Sequence, residues 1–427
     1  MRNGAEFYWD EKTAEQLRRV WRGEYFRSKA NGAATAAATD DDDLDLAEWD
    51  WGDDNEPIPP RGWLLGNLLC RQFLTSIFAD GGVGKTALII AMALSLATGR
   101  NLIGEHVFVR CRVLLFCFED GVNELRRRLT AAMMHYGITK DEIRGYLFIS
   151  AINRADAKLA TMRRGELVVG RLGAALEKSI VRRHADAVFL DPFVKTHAVG
   201  ENDNSSMDFV AEILASIAIK HDCACCTPHH TRKGAPDPGN ADAGRGGGAL
   251  KDAFRLCYTA TPATEPDAKA LGISADDRVG LIRLDSGKVN LVRNSFVARW
   301  FRLVGVRIGN SSETYPHGDE IQAIERWYPP DAFKGVGDDV WNRILDDIAA
   351  GIGDGGRYTD HAMAADDRQA FRVVQRHLPD RSVEKAKAII KGWKQSGLLV
   401  LRTYHDDAER KDKQGFVVDD SKRPGPR

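Results

Sequence analysis

The stretch FLTSIFADGGVGKTALIIAMALSLA, residues 73–97, constrains this chain more than any other. A short apolar, β-leaning run from Phe73 to Ala79 turns through Asp80-Gly81-Gly82-Val83-Gly84. Lys85 and Thr86 then open an Ala/Leu/Ile/Met-rich helix. Strand, glycine-rich loop and helix in this order let successive backbone N–H groups curl around one anion. The helix N-terminus adds partial positive charge at the same point. In such a loop Lys85 is expected to reach the β- and γ-phosphates of a nucleotide, and Thr86 to place its hydroxyl on Mg²⁺. The candidate nucleotide-binding residues are Asp80, Gly81, Gly82, Val83, Gly84, Lys85, Thr86 and Ala87. The motif asks for glycine six residues before the lysine, and Ala79 stands there. The alternative is an ordinary αβ turn with a surface lysine.

At 427 residues the chain has room for two or three domains. Lys and Arg number 60 against 61 Asp and Glu, so any basic binding surface must be local. The seven cysteines sit mostly in apolar runs, and Cys223-Ala224-Cys225-Cys226 lacks a second ligand pair at zinc spacing, even with His229 and His230 nearby. Buried free thiols in a reducing compartment are the simpler reading. The N-terminus, MRNGAEFYWDEK, has no apolar leader-like core, and no apolar run is long enough to span a bilayer. A cytoplasmic protein without membrane contact is expected.

Residues 1–30 carry a helical pattern, with Leu17, Val20 and Trp21 on one stripe. Residues 31–56 are small and then acidic, and read as a flexible linker. The run VLLFCF, residues 113–118, is apolar on both faces, as in a central parallel strand. A helix over 123–137, a short strand near 146–150, a helix over 163–183 and a strand at 187–190 are expected next. A helix over 207–220 and a strand over 223–227 follow. This alternation predicts an α/β fold with a parallel sheet flanked by helices. Ligands in such sheets gather at the C-terminal ends of the strands. Asp80–Thr86, Glu119, Asp191 and the His229-His230 pair would therefore meet at one edge.

Each of these residues has a chemical role available. Asp191 ends a strand, where a carboxylate can hold Mg²⁺ opposite the loop threonine. Glu119 can orient or polarise the attacking water, although an acid before a helix can also be a simple N-terminal residue. His230, or His229, can reach the γ-phosphate and report hydrolysis through its loop. After His230 the stretch TRKGAPDPGNADAGRGGGALKDAFR is rich in Gly, Pro and Asp and reads as a mobile loop carrying Arg245, with Lys251 and Arg255 following at the next helix. Such loops contact nucleic-acid phosphates or supply an arginine finger to a neighbouring subunit, or are merely solvated.

Five stretches together resemble the RepA-type hexameric replicative helicases, a group of RecA-like P-loop ATPases related to AAA ATPases. They are ADGGVGKTALIIAMALSLATG, RVLLFCFEDGVNELRRRL, AVFLDPFVKTHAVGENDNSSM, CACCTPHHTRKG and GRGGGALKDAFR, spread over roughly residues 57–303. The resemblance implies that Lys85 and Thr86 bind ATP·Mg²⁺ and that Glu119 is the catalytic carboxylate. It makes Asp191 the metal carboxylate and His230 the γ-phosphate sensor. Arg245 becomes a finger across the subunit interface, with Arg255 as the second candidate. Departures are Ala79, Gly247-Gly248 where the family has Ser-Ser, and the thiol-rich run before the histidines.

Beyond Tyr315 the pattern changes to helices, with stripes at Ile321/Ile324/Trp327, Val340/Ile344/Ile348 and 370–378. Ser382 caps a helix to Gln395, followed by LLVLRTY, a polar tip and GFVV. This is the order of a winged helix. Lys387, Lys391, Lys394, Arg410 and Lys411 would face DNA phosphates, alongside Lys385 and Lys413. Ordinary solvated lysines on a protein-interaction domain are the alternative. The expected division is an ATPase core over 57–310, a helical domain over 316–420 and a loose tail over 421–427. The expected activity is ATP hydrolysis to ADP and phosphate, coupled to movement on single-stranded DNA by a homo-hexameric ring. The alternative is a nucleotide-switched DNA-binding initiator or accessory ATPase without unwinding.

Overall fold

The computed structural model describes residues 48–231, 238–240, 253–292, 298–329, 333, 335–353, 355–406 and 410–424. The expected N-terminal helix, Arg245 and Lys251 lie outside them. The chain divides into two compact units, residues 1–262 with 282–327, and residues 263–281 with 328–427.

The first unit opens with β1 (Trp63–Leu65) and β2 (Leu69–Cys70), a small antiparallel pair. Then come β3 (Leu74–Ala79), α1 (Lys85–Thr98), β4 (Val113–Cys117) and α2 (Val122–Tyr136). A short α3 (Lys140–Ile143) precedes β5 (Leu147–Ala151), the hairpin β6 (Ala160–Arg163) and β7 (Glu166–Val169), and α4 (Arg171–Arg183). β8 (Ala187–Asp191), α5 (Asn204–Lys220), β9 (Ala224–His230) and β10 (Leu256–Pro262) complete the parallel part. After α6 (Glu265–Leu271) in the second unit, β11 (Leu281–Val289), β12 (Arg299–Arg307) and β13 (Glu320–Trp327) extend the sheet.

Nine strands form one sheet in the order β13-β12-β11-β10-β3-β9-β8-β4-β5. The run from β10 to β5 is parallel, and the β10–β11 and β12–β13 pairs are antiparallel. This is the expected α/β fold. β3 is buried along its whole length because both faces are covered. Ile77 and Ala79 face one core with α1 and α2, while Leu74 and Phe78 face a second core with α4 and α5. α1 is apolar nearly all round and accordingly buried nearly all round.

Three expectations are corrected here. Residues 163–169 are not the start of a helix. Arg164 and Gly165 both take positive φ, 54° and 86°, and close the β6–β7 hairpin; a two-residue turn of this hand favours a hairpin. The stripe Ile321/Ile324/Trp327 is a strand rather than a helix. Its eight residues pair in register with β12, and Trp327 sits opposite Trp300 with ring centroids 6.3 Å apart. Over so short a run a three-residue spacing does not separate helix from strand. The sheet-bearing unit therefore runs to Trp327 rather than ending near residue 310.

In the second unit α7 (Asp338–Ala350), α8 (Ala370–His377) and α9 (Val383–Gln395) precede the antiparallel hairpin of β14 (Leu399–Asp406) and β15 (Lys411–Val418). Three helices and a hairpin give the winged-helix-like order. Ile344, Ile348, Phe371, Ile389, Trp393 and Phe416 share its core. Ser382 caps α9 by accepting from the Lys385 N–H. α6 belongs to this unit, and its terminal Gly272 lies against Lys385. The tail is held as far as Pro424: Arg423 pairs with Asp346 at 2.8 Å, and Asn342 donates to the Pro424 carbonyl.

Among the described residues no helix is long and apolar enough to cross a membrane. Residues 48–56 of the acidic segment are exposed, with one 3-10 turn at Trp51–Asp53.

Candidate nucleotide site

The parallel register determines which residues meet. Ala79, the last residue of β3, is level with His230, the last of β9. Cys117, the last of β4, is level with Asp191, the last of β8. Glu119 follows two residues beyond Cys117. Lys85, Thr86, Glu119, Asp191 and His230 thus converge at the C-terminal edge of the sheet, beside the loop that opens α1.

Space is open beside the first two glycines of the loop. A Cβ at Gly81 or Gly82 would meet nothing within 4 Å. Gly84 is different: its φ is 98°, and a Cβ there would stand 2.9 Å from Leu303 and 3.0 Å from Ile282. Only glycine takes that conformation in that space at low cost. The β11–β12 extension therefore backs the phosphate loop directly. Val83 is buried, and Ala87 lies in the first turn of α1. Ala79 does not disturb the loop: its carbonyl accepts from Lys85 Nζ at 2.7 Å.

Lys85 is 8% exposed, and its ammonium also donates to the Asp80 carbonyl at 2.7 Å and lies 3.3 Å from Nδ1 of His230. Burial lowers its pKa to about 8, against the opposing pull of Asp191, Asp80 and Glu119. Thr86 Oγ1 donates to Asp191 Oδ2 at 2.8 Å. Burial raises the Asp191 carboxyl to about 6; the Thr86 hydrogen bond and the Lys85 charge act in the opposite sense. Glu119 is exposed, yet close enough for its charge to act on both Lys85 and Asp191. Asp120 is engaged elsewhere, pairing with Arg128 at 2.8 Å.

Thr86 and Asp191 form a hard-oxygen pair suited to Mg²⁺. A buried carboxyl held up near 6 is relieved by a cation, and the open loop leaves room for phosphates on the same side. The residues present fit the metal.

The sequence does not single out two further contacts. Thr231 donates its hydroxyl to the Asp80 carboxylate, tying the end of β9 to the loop. Glu201 Oε1 lies 3.9 Å from Nε2 of the buried His229. A polar residue directly after the paired histidines was the one available signal for the first; nothing local marks Glu201.

Other candidates fall elsewhere. Arg255 precedes β10, whose first residue is level with Thr75 near the start of β3. It therefore lies at the opposite sheet edge from the phosphate loop of its own chain. In the second unit Lys394 pairs with Asp360 at 2.8 Å, and Lys387 lies over the Phe371 ring. Lys413 pairs with Asp406 at 2.6 Å. Lys391 and Arg410 are exposed on α9 and beside the hairpin, and Lys411 is exposed at the start of β15. All seven cysteines are buried free thiols.

Residues 40–236 match the family model described as an AAA domain. The crystal structure of the RadB recombinase is similar at 14% sequence identity, over 55% of this chain and 89% of that chain, with a TM-score of 0.37. The glycine loop and the residues gathered around it lie wholly within the part of the chain that matches the AAA domain.

Proposed function

We propose that this chain is a RecA-like P-loop ATPase that hydrolyses ATP to ADP and phosphate and couples the reaction to action on single-stranded DNA. The reading is of a RepA-like ring helicase or translocase acting in the cytoplasm. The observation that carries it is the Thr86–Asp191 hydrogen bond of 2.8 Å beside the buried Lys85, at the mouth of an open glycine loop.

In this mechanism the loop amides and the α1 N-terminus hold the phosphates. Lys85 exchanges its two carbonyl acceptors for phosphate oxygens and stabilises charge on the transferring group. Thr86 and Asp191 would hold Mg²⁺, which when bound would neutralise phosphate charge. Glu119 orients the attacking water and takes up its proton. His230, released when Lys85 turns to the nucleotide, donates to the γ-phosphate and signals its loss. Arg245 is the proposed finger from a neighbouring subunit. Arg255 remains a candidate only in that trans role. A head-to-tail contact of this kind closes into a ring, here a homo-hexamer.

The winged-helix-like order of the second unit favours a second reading, a nucleotide-switched DNA-binding initiator. Lys391, Arg410 and Lys411, with Lys387 and Lys394 where they exchange their present contacts, would then carry the DNA. The two readings separate on turnover. A motor shows ATPase activity stimulated by single-stranded DNA, abolished by Lys85→Ala, and a larger mass in solution with ATP. Slow turnover unaffected by any nucleic acid, with DNA still bound, would select the switch.

A further inference from the structure

His229 and His230 are consecutive residues of a strand, so their side chains leave opposite faces of the sheet. His230 faces the phosphate loop, 3.3 Å from Lys85 Nζ. His229 faces the other core and is 1% exposed. Its ring makes T-shaped contacts with Phe78 and Phe193, at centroid distances of 5.8 and 5.5 Å. Glu201 stands beside the same ring, its carboxylate 20% exposed and 3.9 Å from Nε2.

Glu201 belongs to the segment that runs from the end of β8 to α5. That segment is anchored at one end where the Ala198 N–H donates to Ala160 at 2.9 Å. At the other end Asp203 caps α5 by accepting from the Ser205 N–H. The turn between these anchors reaches back to the sheet through Glu201. The pair of histidines therefore connects two places: the lysine that must move when phosphate binds, and a loop on the far face.

We propose that Glu201 is a positioning residue that makes the 197–203 segment follow the nucleotide state of the site through His229 and His230. The proposal rests on the nucleotide-binding reading of the phosphate loop. When phosphate takes Lys85 away from His230, the end of β9 loses a contact on one face. His229 shares its backbone and is clamped by two rings, so it shifts with the strand rather than rotating independently. The Glu201 carboxylate stands within ion-pair distance of that ring, so a shift of the ring alters what the 197–203 segment meets. Removing Glu201 cuts this connection without touching the phosphate loop.

The test uses the full chain and a non-hydrolysable ATP analogue. Binding is measured first, then amide hydrogen exchange of peptides spanning residues 196–204, with and without analogue. In the native protein the analogue should change exchange there by about threefold or more. Glu201→Ala should bind the analogue within about twofold of the native affinity yet show no nucleotide-dependent change in that segment. Glu201→Gln, which keeps a polar side chain of the same length against His229, should retain most of it. A full response in Glu201→Ala, or no response in the native protein despite binding, overturns the proposal. Failure of the native chain to bind the analogue would instead remove the nucleotide reading and the proposal with it. Should Glu201→Ala unfold, His229→Gln read in the same way decides the matter.

Discussion

Thr86 Oγ1 donates to Asp191 Oδ2 at 2.8 Å, and this single bond joins the start of α1 to the end of β8. It also holds a carboxylate where burial penalises its charge. The sign of the effect follows. Because burial lifts the folded pKa to about 6, Asp191 costs stability as pH rises from its ordinary range through about 6. Asp191→Asn should therefore abolish hydrolysis and yet raise the melting temperature of the nucleotide-free protein at pH 7.5. The gain is at most about 3 kcal/mol from the pKa difference. A melting temperature that falls, measured by calorimetry without nucleotide, counts against the burial argument.

Lys85 gives the opposite kind of pH dependence. Its pKa of about 8 in the empty site means that phosphate must restore a proton in alkaline solution. Apparent ATP affinity should fall above pH 8, by up to about tenfold per pH unit for one proton taken up. Titration calorimetry in buffers of different ionisation enthalpy reads that proton directly. Lys85→Arg should flatten the pH profile.

Gly84→Ala should damage both fold and site. The new methyl would meet Leu303 at 2.9 Å and Ile282 at 3.0 Å, on a backbone with φ of 98°. Loss of about 1–3 kcal/mol of stability is expected from the strained conformation. Nucleotide binding should fall further than Gly81→Ala produces, since nothing opposes a Cβ at Gly81.

At the opposite sheet edge Arg71 donates to Asp186 at 2.6 Å and to the Asp222 carbonyl at 2.6 Å, with both charged partners buried. Asp186 also accepts from the Arg112 N–H at 2.7 Å. This cluster staples the starts of β4, β8 and β9. Arg71→Ala leaves a buried carboxylate uncompensated and should cost about 3–5 kcal/mol. Chemical denaturation checks it, and Arg71→Ala with Asp186→Asn should recover part of the loss.

The second unit offers a contrast within one helix. If DNA lies on α9, Lys391→Ala should weaken binding and reduce the salt slope by about one ion. Lys394 already holds Asp360, so Lys394→Ala should show less effect on DNA and a small loss of stability. Equal effects on DNA affinity would mean that the ion pair opens on binding. A truncation after Tyr315 is unsuitable here, because it removes β13 from the sheet.

The phosphate loop, β4, β8 and their carboxylates were legible because each signal is local. A continuous apolar run ends in a charged residue, and parallel pairing then levels Cys117 with Asp191. The β6–β7 hairpin was not, because Leu167 and Val168 fit a helix stripe as well as a strand, and Arg164 gives no sign of its positive φ. β13 was missed for the same reason of period. Its identity comes from Trp300 on a partner strand, which no local pattern contains. Likewise the engagement of Lys387 and Lys394 depends on Phe371 and Asp360, both distant in sequence. The Glu201–His229 contact reaches across α5 and most of β9 and is invisible to any motif.

The second unit begins before the first has ended: residues 263–281 belong to it, although β11, β12 and β13 are still to come. The backbone therefore passes between the units three times, at 262/263, 281/282 and 327/328. A single protease nick at any one of these passages leaves the two units covalently linked through the others. During synthesis α6 emerges long before α9, the helix against which its Gly272 rests. The second unit can thus be completed only after α7 to β15 have followed β13 out, and it cannot be exchanged for another module by a single splice.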